Sequence, residues 1–118
     1  MDTLSSAERE ALERFARALR HLRTIMGRNV PSQIVQAYLA VALEEGKPVN
    51  EYANLLGASM TTASRHLMDL AERNRYKREG FRLLYRQGNP LDEREKLITL
   101  SQHGRAMRQL VLETLGVR

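Results

Sequence analysis

The sequence predicts a mainly α-helical fold with one small β-hairpin, an α+β domain. Three observations carry this. Apolar residues recur at helical spacing over most of the 118 residues. Only three prolines and seven glycines interrupt them. One short alternating, aromatic-bearing stretch, followed by a turn signal and a second such stretch, reads as paired strands. The length suits one compact domain with one core, so residues 1–118 are expected to form a single domain. Apolar residues make up 42% and charged residues 28%, a globular rather than a disordered balance.

Each element has a local cause. Ser5 and Glu8 form a capping box that starts the first helix. Ala11, Leu12, Phe15, Ala18, Leu19, Leu22, Ile25 and Met26 make its apolar stripe, and Gly27 stops it. Arg9, Arg14, Arg17, Arg20 and Arg23 crowd the other face. A helix of about 20 residues reaches about 30 Å. A domain this small leaves part of so long a stripe uncovered, so residues 1–27 are expected to pair with a second copy. Pro31 suits the first turn of the next helix, where Ile34, Val35, Tyr38, Leu39, Val41, Ala42 and Leu43 make a wide apolar surface. Residues 44–48 end it.

Asn50 can cap a short helix over Glu51 to Leu56. Gly57 supplies a left-handed turn, and Ser59 caps a helix from Met60 to about Asn74. Phe81 to Arg86 reads as a strand, Gln87-Gly88-Asn89-Pro90 as a turn, and Glu95 to Leu100 as the return strand. Ser101 caps the last helix, with Ala106, Met107, Leu110, Val111 and Leu115 on its apolar side. Of these two terminal helices, Leu12, Phe15, Leu19, Leu22, Leu110, Val111 and Leu115 are the expected contacts of a homodimer.

Charge and chemistry narrow the function. The net charge is +5. Residues 1–59 balance seven basic against seven acidic groups, whereas residues 60–88 carry seven against three. A local basic excess is the footprint of a polyanion binder. Cysteine is absent, which excludes disulfides, zinc-thiolate sites and thiol redox chemistry. His21, His66 and His103 have no metal-ligand spacing, so neither a metal nor a cofactor is expected. No nucleophile motif or phosphate loop occurs, and the sequence does not read as an enzyme. The longest apolar run, Ala37 to Leu43, is far too short for a membrane. With no hydrophobic signal core near the N-terminus, a cytoplasmic location is expected.

The stretch from Ala53 to Leu70 is a helix-turn-helix: a short helix with small Ala53 at the crossing, Gly57 at the turn, and a second helix apolar on one side only. Its other side offers Ser59, Thr61, Thr62, Ser64, Arg65, His66 and Arg73. Hydroxyls of this kind reach phosphates, and an arginine can fork onto guanine O6 and N7 in a major groove. Directly after it, the hairpin with Arg82 and Arg86 sits where a wing would touch the adjacent backbone or minor groove. Residues 31–100 thus read as a winged helix-turn-helix, and 101–118 as a C-terminal helix.

The run from Asn89 to Gly104 resembles the wing and following helix of MarR-type transcriptional regulators. Asp92, Arg94, Ile98, Leu100, Ser101 and Gly104 match the family pattern of Asp-x-Arg, three residues, then aliphatic-x-Leu-Thr/Ser-x-x-Gly. Together with the helix-turn-helix the resemblance spans residues 31–108. It implies a winged-helix homodimer on palindromic double-stranded DNA, a repressor, with Arg94 reaching the duplex and Asp92 supporting it. It also leaves room for a small aromatic effector held between the paired helices and the reading domain. A winged-helix adaptor that binds protein or RNA in a plasmid or phage assembly stays open as the other reading.

Overall fold

A computed structural model describes residues 3–72 and 79–118. The element order is α1 (Ser6–Met26), α2 (Ser32–Leu43), β1 (Lys47–Pro48), α3 (Val49–Leu56), α4 (Met60–Leu70), β2 (Leu84–Asn89), β3 (Asp92–Leu100) and α5 (Gln102–Thr114). The strands form one antiparallel sheet in the order β1-β3-β2.

α1 begins where the capping box places it. The Ser5 hydroxyl accepts the Glu8 N–H at 3.1 Å, and the Glu8 carboxylate accepts the Ser5 N–H at 2.9 Å. These bonds hold the Glu8 carboxyl below its usual range. The helix ends at Gly27, and the Arg23 guanidinium folds back onto the Arg28 carbonyl. Its buried side consists of Ala18, Leu22 and Met26 alone. The N-terminal half therefore stands out from the core, and the molecule is 56 Å long by 27 Å wide.

The core gathers one face of every helix except short α3's outer side, together with the root of the hairpin. Tyr38, Val41, Tyr52, Leu67, Leu70, Leu83, Ile98 and Leu100 are its largest fully buried members. Each such side chain contributes roughly 1.5–3 kcal/mol by leaving water. Tyr38 and Tyr52 also carry a hydroxyl inside, and both are satisfied. Tyr38 donates to the Gly104 carbonyl at 2.8 Å, tying α2 to α5. Tyr52 donates to the Glu44 carbonyl at 2.6 Å, with the Ile98 carbonyl at 3.2 Å, tying α3 to the sheet.

Burial pushes the Tyr38 phenol up to about 12, against a small opposing pull from Arg108. The neutral phenol is thus favoured in the folded state over the unfolded one. Its contribution is fully present below the ordinary tyrosine value near 10 and is lost as pH rises from there through 12. Alkaline unfolding monitored by circular dichroism should therefore fall in that window. Tyr38→Phe should cost about 0.5–1.5 kcal/mol at neutral pH, by removing its bond to the Gly104 carbonyl, and should flatten the alkaline limb.

Several elements depart from the sequence expectations. α4 ends at Leu70 with Ala71 as its cap, short of the expected Asn74. α3 starts at Val49 after Pro48, without a side-chain cap from Asn50. The first hairpin strand runs Leu84–Asn89 rather than Phe81 to Arg86, and the turn is Pro90-Leu91. The cause is Arg82, which adopts a left-handed φ of 59° and so breaks the extended run. Its N–H and that of Leu83 instead bond to the carbonyls of Ala71 and Leu70, strapping the chain to the end of α4. Ala106, expected on the apolar side of α5, is exposed. β1 is a further departure: residues 44–48, which by sequence only end α2, include a two-residue strand.

Candidate nucleic-acid interface

α3 and α4 meet through the turn at Gly57, whose φ of 63° and ψ of 32° are left-handed. Ala53 is buried at the crossing, as a close approach requires. Ser59 then starts α4: its hydroxyl accepts the Thr62 N–H at 3.1 Å and donates to the Thr62 hydroxyl at 3.0 Å. Ala63, Leu67 and Leu70 turn inward. That pattern fixes the opposite face. Thr61, Thr62 and Arg65 are exposed, while Ser64 and His66 are half-buried. Thr62, Arg65, His66 and Asp69 border a groove of about 240 Å³ against Pro31 and Ile34 at the start of α2.

The wing stands beside this face. Cross-strand partners share a sheet face, so the pairs Leu84–Leu100, Arg86–Ile98 and Gly88–Lys96 define one surface. At its root that surface is core. Toward the tip it becomes basic, with Arg86, Lys96 and Arg94. These three border a cleft of about 570 Å³ with the carboxylates Asp92 and Glu95, with Asn50, and with Met60, the first residue of α4. The wing cleft thus meets α4 at its first residue, whereas the groove beside Thr62, Arg65 and His66 opens separately against the start of α2.

Two of the wing's three acidic groups, Asp92 and Glu95, have internal partners. Asp92 accepts the Arg94 N–H at 3.0 Å and lies 3.6 Å from its Nε. Glu95 accepts from the Asn89 amide at 2.8 Å, and the Asn89 carbonyl oxygen accepts the Leu91 N–H at 2.9 Å. A tip tied down this way holds Arg94 well out in solvent, at 94% exposure of its side chain. Asp92 and Glu95 thus brace the tip, and Asp92 also offsets part of the Arg94 charge.

Not every expected contact falls here. Arg82 lies before the strand and pairs with Glu79 at 3.0 Å. Arg73 lies outside the described residues. Lys96, Met60 and Asn50 border the cleft but were not singled out from the sequence. The signal for Lys96 was its place two residues beyond Arg94, on the same side of a strand.

The terminal helices adjoin each other: Arg14 donates to the Leu115 carbonyl at 3.3 Å. Leu12, Phe15 and Leu19 are exposed to 58%, 63% and 38%, and Leu110 and Leu115 to 37% each. Leu22 and Val111 are buried in the chain's own core instead. A hollow of about 410 Å³ separates the end of α1 from the start of α2, bordered by Met26, Val30, Ile34 and Phe81, with Asp69 and Glu79 on its polar side. Among the described residues, no group of three or more His, Asp or Glu could hold a metal ion, and no helix is long and apolar enough to cross a membrane.

No family model and no curated protein matches the sequence. Solved structures do. The S. aureus MepR–DNA complex superposes with a TM-score of 0.69 at 17% identity, over 95% of this chain and 84% of that one. Wild-type MarR from E. coli, in its apo form, superposes with a TM-score of 0.59 at 15% identity, over 98% and 79%. The chain has the MarR fold. A probable transcriptional regulator from Pseudomonas aeruginosa shares it, with a TM-score of 0.58 at 20% identity over 87% and 71%. The MarR fold here comprises five helices and a three-stranded antiparallel sheet. At these identities it is the fold, rather than the sequence, that is held in common.

Proposed function

We propose that this chain is a sequence-specific double-stranded DNA-binding transcriptional regulator, a repressor that acts as a homodimer on an inverted-repeat operator. The observation that carries the reading is the exposed polar face of α4, with Thr61, Thr62 and Arg65, followed in the fold by a wing that bears Arg86, Arg94 and Lys96 and whose cleft reaches the first residue of α4. An α-helix fits a B-DNA major groove, and Arg86, Arg94 and Lys96 lie where a wing would follow the adjoining backbone or minor groove. Two neighbours of the same fold, S. aureus MepR and AbfR, are solved with DNA.

The division of labour follows from placement. Arg65 is the base reader, through a bidentate contact to guanine. Thr61, Thr62, Ser64 and His66 contact phosphate or base edges around it. Ser59 holds the first turn in place. Arg94 enters the minor groove with Asp92 behind it. The exposed stripe of Leu12, Phe15 and Leu19, with Leu110 and Leu115, seals the pair. Twofold symmetry then sets the two α4 helices about 34–36 Å apart, one DNA turn. A small aromatic effector fits the hollow between α1 and α2. Asp69 and Glu79 at its edge favour a neutral or cationic ring there over an aromatic acid.

Selection of bound duplexes from a random pool tests the reading directly. The expected product is one inverted repeat, bound at least ~1000-fold more tightly than random duplex and weakened steeply by salt. Weak, sequence-blind binding would instead leave an adaptor. Within the selected site, Arg65→Ala should cost about 1–3 kcal/mol and relax the preference at one base pair. An equal loss on operator and random DNA would make Arg65 a phosphate contact.

A further inference from the structure

β1 is a very short strand. Gly46, at φ 85°, turns the chain out of α2, and its N–H donates to the Ile98 carbonyl at 2.7 Å. Lys47 pairs with Ile98 and Pro48 with Leu97, after which α3 begins. The same register would place residue 45 opposite Leu100. At that position it is the side chain of Glu45, not its backbone, that completes the ladder: Oε1 accepts the Leu100 N–H at 2.8 Å.

The same carboxylate receives two arginines from α5. Arg105 Nη2 lies 3.3 Å from Oε1, and Arg108 Nη1 lies 3.3 Å from Oε2. Arg108 also donates to the Ala42 carbonyl at 3.1 Å, near the end of α2. Glu45 is only 25% exposed, so these bonds form partly away from water, where charge-assisted bonds are strongest. Three elements therefore meet on one carboxylate: the end of α2, the root of β3 and the face of α5.

We propose that Glu45 is a positioning residue that locks the wing's root to α5, so that the seating of α5 sets where the wing reaches. This rests on the DNA-binding reading for its consequence, although the lock itself is a property of the free chain. The other anchor of the hairpin is independent of it: Ser101 donates to the Arg82 carbonyl at 2.6 Å through its hydroxyl and to the Leu83 carbonyl at 3.0 Å through its N–H. Loss of Glu45 should therefore loosen the β3 root without detaching the wing. The wing tip, joined to that root by β3, would lose its fixed aim. Arg65 on α4 is not part of this joint and should read DNA as before.

The test combines hydrogen exchange on the free full-length chain with a mutant cycle on DNA. In Glu45→Ala the Leu100 amide should exchange about tenfold faster, as one charged hydrogen bond is lost, while the amides of Ala63 and Leu67 in α4 stay as protected as before. On the selected duplex, Arg94→Ala should weaken binding about tenfold in the wild-type background. It should do so much less in the Glu45→Ala background, because a wing without aim has little contact to lose. Glu45→Gln is the second variant should Glu45→Ala not fold. It keeps an acceptor for Leu100 but removes the charge that holds Arg105 and Arg108, and it should shrink the Arg94 effect in the same way.

Faster exchange spread evenly over the whole chain would reduce Glu45 to a general stabiliser and overturn the proposal. So would an Arg94 effect of the same size with and without Glu45. If Leu100 alone is deprotected but neither Arg94→Ala nor Arg65→Ala alters binding to any duplex, the joint stands and the DNA-binding reading falls.

Discussion

Replacing Gly104 by alanine is expected to destabilise the protein by about 3 kcal/mol, the upper range for forcing an extra carbon into a packed site. Gly104 lies in the first turn of α5, and an added Cβ would run into the Leu83 carbonyl oxygen. Neither side has room to give. That oxygen already accepts the Ser101 N–H, the Gly104 N–H is held by the Ser101 hydroxyl at 3.0 Å, and the Gly104 carbonyl is held by Tyr38. The obstacle is backbone against backbone, which no rotamer change relieves. Thermal unfolding should move down by roughly 10–20 °C for a chain of this size. Urea melts should show a lower midpoint with an unchanged slope. A variant melting within a degree or two of wild type would mean that α5 packs less closely on Leu83 than described.

The largest effect on assembly is expected from Phe15→Asp. Phe15 is exposed in the single chain, so the change leaves the core untouched and circular dichroism should be unaltered. In the proposed twofold pair it appears twice, buried in the seam. Losing two buried phenyl groups removes several kcal/mol, roughly 1.5–3 for each, before the cost of two carboxylates in an apolar seam. Light scattering should fall from twice 13.5 kDa to 13.5 kDa at micromolar concentration. Operator affinity should fall with it by at least ~100-fold, since one reading head then pays for its ordering alone. An unaltered mass at twice 13.5 kDa would place the seam on another surface.

How far the sequence discloses the fold depends on the range of the cause. α1, the turn at Gly57 and the Ser59 and Ser101 caps are set by residues within four positions of one another, and they stand where local patterns put them. The hairpin was legible as a hairpin but not in its bounds. The left-handed conformation of Arg82 comes from bonds to the end of α4, eleven or more residues earlier, and no neighbour announces it. β1 was illegible for the same reason: two residues, one of them proline, become a strand only because β3 lies alongside.

The interface divides in the same manner. Helical periodicity separates the inner from the outer face of α4, so the exposure of Thr61, Thr62 and Arg65 follows directly. It does not divide a wide stripe between the chain's own core and a partner, which is why Leu22 and Val111 fall on the core side. Glu45 was out of reach altogether, since its partners lie 55 to 63 residues away.

The sheet order β1-β3-β2 has a consequence for copies of the chain at high concentration. Open margins of a sheet invite strands from neighbouring molecules. On one margin β1 offers almost nothing to grip, because Pro48 lacks an N–H and helix follows at once. On the other, β2 is six residues long, carries Arg86 and is kinked by an irregularity at Gly88/Asn89. Crowded copies therefore have poor means of zipping sheet to sheet, and the apolar surface they still offer one another is the exposed stripe of Leu12, Phe15 and Leu19.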